Sequence, residues 1–226
     1  MRRVSGSPLK NVTLLRKAVL ASVAALAFLT VGAAPAHATL YQLTVDHCTG
    51  GCGGSPYGSV DVTQFAANDV LITIVLNNGN KFINTGIDST VDFNLAGNPT
   101  ISVTGLPAGW SLGGTTAGSH HMDGFGDFEY VLTCCGGVNG AGAAVFGPLA
   151  FHVLATGLTP ASFNELSSGG SPPAIFGVDI ISGQTGNTGA VGAVTGTVVP
   201  EPTSLLLLGT GIAGMASAIK RRQVKK

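Results

Sequence analysis

Between Thr39 and Val199 the chain alternates apolar and polar residues in short runs, separated by glycine, asparagine and proline. In "TLYQLTVDH" the residues Tyr41, Leu43 and Val45 interleave with Leu40, Gln42 and Thr44, a period of two that predicts a strand with one buried face. "GSVDVTQF", "DVLITIVLNN", "STVDFNLAG", "PTISVTG", "DFEYVLTCC", "PLAFHVLATG", "AIFGVDIIS" and "AVTGTVV" follow the same rule and are rich in β-branched residues. About eight to ten such runs at short intervals predict an all-β fold, an antiparallel β-sandwich or jelly roll. Asn78-Gly79 in "LNNGNKF" predicts a hairpin turn, because both positions accept positive φ. A single stretch, "LTPASFNEL", reads as helical, with Thr159 as cap, Pro160 in first position and about one turn of length. The body, 39–182, suffices for one core, and the small, polar segment 183–199 is either a spacer or a final strand.

Charge divides the chain differently. Arg2, Arg3, Lys10, Arg16 and Lys17 crowd the start, and Lys220, Arg221, Arg222, Lys225 and Lys226 crowd the end. Between Thr39 and Val199 only Lys81 is basic, against ten acidic residues. An acidic body has no cationic face with which to displace counterions from phosphates, so nucleic acid is excluded as a partner.

The first 38 residues have the layout of a signal peptide. A basic region ending at Lys17 precedes the uncharged run Ala18–Val31, and "APAHA" then places Ala36 and Ala38 before a cut ahead of Thr39. An uncleaved anchor is the other reading, but fourteen residues at about 1.5 Å each fall short of about 30 Å of hydrocarbon. At the other end, Thr203–Ile219 holds 17 residues without a charge, a marginal transmembrane helix of about 26 Å. The basic cluster 220–226, led by Lys220, Arg221 and Arg222, acts as a stop-transfer signal, since Lys and Arg beside a span stay on the cytoplasmic side.

Pro200-Glu201-Pro202, the apolar run and Lys220-Arg221-Arg222, in that order, resemble the PEP-CTERM sorting signal of Gram-negative bacteria. The resemblance covers residues 200–226. It implies recognition and cleavage by an exosortase, a multi-spanning membrane protease, and an association with exopolysaccharide, biofilm or the cell surface. The implied partners are the secretion translocon and signal peptidase, the exosortase, the inner membrane in passing, and polysaccharide. Pro200 and Pro202 keep the approach to the membrane extended, a form a protease can grip. The body pieces "DHCTGGCG", "GSVDVTQ" and "SGQTGNTGAVGAV" resemble a subgroup of PEP-CTERM proteins with no assigned activity.

Cys48, Cys52, Cys134 and Cys135 all lie in the exported part, where an even count predicts two disulfides. Adjacent cysteines pair only through a strained ring, so cross-links from the first pair to the second are expected. Zinc, with His47 beside Cys48, is the alternative, but the spacing departs from Cys-x2-Cys.

Candidate chemistry in the body is sparse. "HHMDGFGDFEY" gathers His120, His121, Asp123, Asp127 and Glu129. Asp123, Asp127 and Glu129 are candidate ligands for Ca²⁺, although the order of a dedicated calcium loop is missing, and no other cofactor is expected. A hydrolase would draw on His120, Asp123 or Glu129, yet no partnered nucleophile accompanies them. "GWSLG" around Ser111 has the spacing of a nucleophile elbow, but "GTTAGS" after it is a poor helix. Asp61, Asp92 and Asp179 alternate with apolar residues in strand runs and are expected to face solvent. Tyr57, Trp110, Phe125, Phe128 and Tyr130 would serve a carbohydrate-binding module if several share one exposed face. The reading that emerges is a non-enzymatic surface or matrix protein.

Overall fold

The computed structural model describes residues 38–199 except 86–88, 117, 119 and 136–142. Two antiparallel sheets form from the alternating runs. The first has six strands in the order β16 (Gly196–Val199), β1 (Ala38–Leu43), β3 (Gly58–Ala66), β4 (Asp69–Leu76), β12 (Leu149–Leu154) and β7 (Ser102–Thr104). The second runs β2 (Val45–Asp46), β15 (Thr188–Ala193), β14 (Phe176–Ile181), β6 (Val91–Phe93), β11 (Tyr130–Thr133) and β8 (Ser111–Gly114), with β5 (Lys81–Phe82) also against β14. The segment 183–199 therefore contributes β15 and β16 to the sheets.

Period two decides which residues meet between the sheets. Tyr41, Leu43, Val60, Val62, Val70, Ile72, Ile74 and Phe151 of the first sheet are buried, and so are Val91, Phe93, Tyr130, Phe176, Val178 and Val191 of the second. They form one cluster, which makes the pair of sheets a sandwich. Phe93 sits at its centre, with ring centroids of Tyr130, Phe151, Phe163 and Phe176 at 5.4, 6.5, 5.7 and 6.1 Å. Phe163 comes from the short 3-10 turn Pro160–Phe163, which starts at Thr159 as the sequence predicts.

Asn78 and Gly79 take positive φ of 57° and 73°, but the turn does not make a hairpin. β4 pairs with β3 and β12, whereas β5 pairs with β14 of the other sheet. The turn is thus a corner that carries the chain from one sheet to the other.

A third layer covers the outer face of the second sheet. Strands β9 (His120–Met122), β10 (Gly126–Phe128) and β13 (Ser168–Gly169) form a small sheet. Its residues Met122, Phe125 and Phe128 pack with Ala174 and Ala190 in a second apolar cluster. Glycine makes the close approach possible: a Cβ on Gly192 would stand 2.5 Å from the Phe125 ring, and one on Gly177 would stand 2.3 Å from Met122 Sδ. As a result β6 and most of β14 are buried on both faces.

Candidate functional site

The two ends of the body meet at one edge. β16 is the outer strand of the first sheet and β1 is its neighbour, with Ala38 opposite Val199 and Thr39 opposite Val198. The expected cut between Ala38 and Thr39 therefore lies beside the point where Pro200-Glu201-Pro202 begins. All four residues of β16 are exposed, so the strand is held chiefly by backbone bonds to β1. Ala36 and the rest of 1–37, Pro200, Glu201, Pro202, the apolar run 203–219, and Lys220, Arg221 and Arg222 lie outside the described residues. Among the described residues no helix is long and apolar enough to cross a membrane.

All four cysteines are oxidised, but each pair closes on itself: Cys48 with Cys52 and Cys134 with Cys135. The expected cross-links between pairs are not formed. The first loop is built to close locally. Asp46 accepts the Cys48 N–H at Oδ1 (2.7 Å) and the Cys52 N–H at Oδ2 (2.8 Å), while Gly50, Gly51 and Gly53 turn the chain through positive φ. Asn187 Nδ2 and Thr185 Oγ1 donate to Gly51 O and dock the loop on the segment before β15. Cys134 instead directly follows β11, its N–H donating to Thr90 Oγ1 at 3.1 Å. Asp46, Cys48 and Cys52 do bring ligand-type atoms within 4.8 Å of one another. The sulfurs are spent on each other, however, and both carboxylate oxygens already accept N–H groups. His47 packs edge-on against Phe125 at 4.5 Å.

The polar cluster after Gly118 is dispersed by a change of sheet. His121 and Asp127 face each other across the β9–β10 hairpin at 2.7 Å and are exposed. Asp123 lies on the exposed turn between the two strands. At Glu129 the chain leaves the small sheet for β11, and the side chain turns inward, where Oε2 accepts the Leu95 N–H at 3.3 Å. Burial pushes the Glu129 carboxyl up and the His120 imidazole down. Asp123, Asp127 and Glu129, the sequence candidates for calcium, are thus not gathered into one ligand shell.

The structure instead assembles an acidic cleft that sequence reasoning missed. Thr85, Ser89, His121, Met122, Asp123, Asp179, Gly189 and Ala190 line a cavity of about 50 Å³ between the second sheet and the small sheet. Asp61 faces solvent as expected, but Asp92 and Asp179 do not: they are 0% and 5% exposed beneath the third layer. Asp92 lies opposite Gly177, two residues before Asp179, so the two carboxylates occupy neighbouring positions on one face. Asp179 Oδ2 accepts the Thr85 N–H (2.6 Å) and Oγ–H (2.7 Å), and Asp92 Oδ1 accepts the Ser89 Oγ–H. Among the described residues, Asp92 Oδ2 and Asp179 Oδ1 are buried with no hydrogen-bond partner. Burial pushes Asp92 up to about 7, with the Asp179 charge adding to the rise, and Asp179 up to about 6, with the Asp123 charge adding. The sequence signal for this burial was available: glycines at 177 and 192, inside strands, marked a close approach by another layer.

The remaining candidates fall away from one another. Tyr57, Phe125, Phe128 and Tyr130 are buried, and Trp110 packs edge-on against Phe82 at 5.3 Å, so the rings do not form a sugar platform. Ser111 shares a hydrogen bond with Thr133 Oγ1, and its strand continues to Gly114 instead of turning into a helix.

Residues 198–222 match the family described as the PEP-CTERM protein-sorting motif. No curated protein and no solved structure matches the chain. The motif marks the chain for export and for processing by an exosortase-type membrane protease, and so as a secreted, exosortase-sorted surface protein.

Proposed function

We propose that the chain is a non-enzymatic component of the surface or extracellular matrix of a Gram-negative bacterium, associated with exopolysaccharide or biofilm. In this reading the secretion translocon exports it and signal peptidase removes residues 1–38. Residues 203–219 then hold it in the inner membrane, with 220–226 on the cytoplasmic side, until an exosortase-type enzyme cuts the tail.

One observation carries the reading. The matched motif begins at Val198, two residues inside β16, and β16 pairs with the strand that starts at the expected signal cut. The described body thus begins and ends at one corner, where Ala38 pairs with Val199. The proline-rich segment follows directly on the last strand of a folded sheet, and its two prolines favour an extended form that suits a protease at the bilayer surface. A body with Lys81 as its single basic residue also suits a hydrated polysaccharide environment, where acidic surfaces repel one another and stay soluble.

An antibody against Lys220–Lys226 tests the sorting step. The precursor should react and the mature surface form should not, and a Glu201→Ala, Pro202→Ala variant should accumulate as the reactive, membrane-bound form. Persistence of the epitope on full-size protein at the surface would overturn the proposal.

A further inference from the structure

We propose that the cleft between the second sheet and the small sheet binds one Ca²⁺, with Asp92 and Asp179 as its buried carboxylate ligands and Asp123 as the third.

Three independent features point to a cation. Asp179, nine-tenths buried, lines the cavity, and among the described residues its Oδ1 has no partner; Asp92 is not part of the lining but is wholly buried on the same sheet face, with Oδ2 in the same condition. A buried ionised carboxylate oxygen without a donor costs several kcal/mol unless a proton or a cation answers it. Next, the other oxygen of each carboxylate is already held: Thr85 donates twice to Asp179 Oδ2 and Ser89 donates to Asp92 Oδ1. The carboxylates are therefore oriented, with one oxygen of each left free. Lastly, the cavity is the right size. About 50 Å³ holds an ion with one or two waters, whereas small-molecule pockets run to about 300 Å³ or more.

Neighbouring charge agrees. Among the described residues, His121 is the one basic-type side chain that lines the cleft, and it is engaged by Asp127, its cross-strand partner in the hairpin. An all-oxygen donor set, with two carboxylates on strands and one on a turn, selects a hard cation. Calcium, with its tolerance of irregular six- to eight-fold shells, suits it better than magnesium, which demands an octahedron and keeps its waters. The three carboxylates do not stand within 4.8 Å of one another, so Asp123, on its exposed turn, is the ligand that moves in.

The test uses the full-length chain in mild detergent, stripped with EDTA and titrated near neutral pH with CaCl₂ or MgCl₂ by calorimetry and thermal unfolding. One Ca²⁺ per chain is expected, with Tm rising by about 3–5 °C at ten times Kd. Asp92→Asn and Asp179→Asn should each weaken Ca²⁺ at least about tenfold while keeping the near-ultraviolet dichroism of a packed core, and Asp61→Asn should change nothing. Because Asn removes a buried charge, both variants should be at least as stable as the wild type in EDTA, which separates lost binding from lost folding. No heat and no Tm shift up to about 10 mM Ca²⁺, about ten times the 1 mM weak end of extracellular calcium modules, would overturn the proposal. So would a Ca²⁺ response that survives in the double variant, or a response to Mg²⁺ equal to that for Ca²⁺.

Discussion

In the absence of divalent cations, Asp92 and Asp179 should make the body less stable as pH rises from 4 to 7. The folded state holds the Asp92 proton up to about 7, while the ordinary value is 3.8. Between those limits the folded chain binds more protons than the unfolded chain, so stability is fully present below about 4 and is lost as pH climbs toward 7. At about 1.4 kcal/mol per pH unit, the loss is about 4 kcal/mol for Asp92 alone. Asp179, raised to about 6, adds to it in the same direction, by less than its separate worth because the Asp179 charge is part of what raises Asp92. For a domain stable by about 5–15 kcal/mol this is a large fraction. Urea unfolding in EDTA, followed by the fluorescence of Trp110, the chain's single tryptophan, supplies the measurement. Glu129 adds slope of the same sign and His120, whose imidazole is pushed down, adds the opposite, so the wild type must be compared with the Asp92→Asn, Asp179→Asn double variant. The difference between the two should change by at least about 3 kcal/mol over that range. Parallel curves, agreeing within about 0.5 kcal/mol, would refute the buried-acid argument.

Two further outcomes test the architecture. Trypsin should cut the body only after Lys81, and because each disulfide lies on one side of that bond, the denatured fragments should separate without reductant. Intact mass should still rise by four hydrogens on reduction, and fragments that stay joined until then would restore the cross-linked pairing. Gly192→Val would drive a side chain into the Phe125 ring, which lies 2.5 Å from the Cβ position, at a cost of about 1–3 kcal/mol. Hydrogen exchange should then accelerate at residues 120–128 and stay unchanged in β3 and β4; uniform loss of protection would count against a separable third layer.

Local order was legible because it is local. Period two in "TLYQLTVDH" and "DVLITIVLNN" fixes which side chains are buried whatever the strands pair with, and the cap at Thr159 with Pro160 after it needs no distant partner. Even the positive φ of Asn78 and Gly79 followed from residue type, although its use as a corner between sheets did not. The cysteine pairing escaped for a similar reason. Nothing in the spacing shows that Asp46 folds "CTGGC" back on itself through two N–H bonds, and that contact is what brings Cys48 and Cys52 together.

The sorting motif at 198–222 and the strands of the body were thus legible in sequence alone, since an ordered motif and an alternating run of β-branched residues carry their physics over short stretches of chain. Tertiary structure decided what lies over the second sheet. Alternation says only that Asp92 and Asp179 point away from Phe93 and Val178. Whether that side meets water or another layer depends on residues 120–128 folding back onto Gly177 and Gly192, and this long-range contact turns two ordinary surface acids into a buried, unanswered pair.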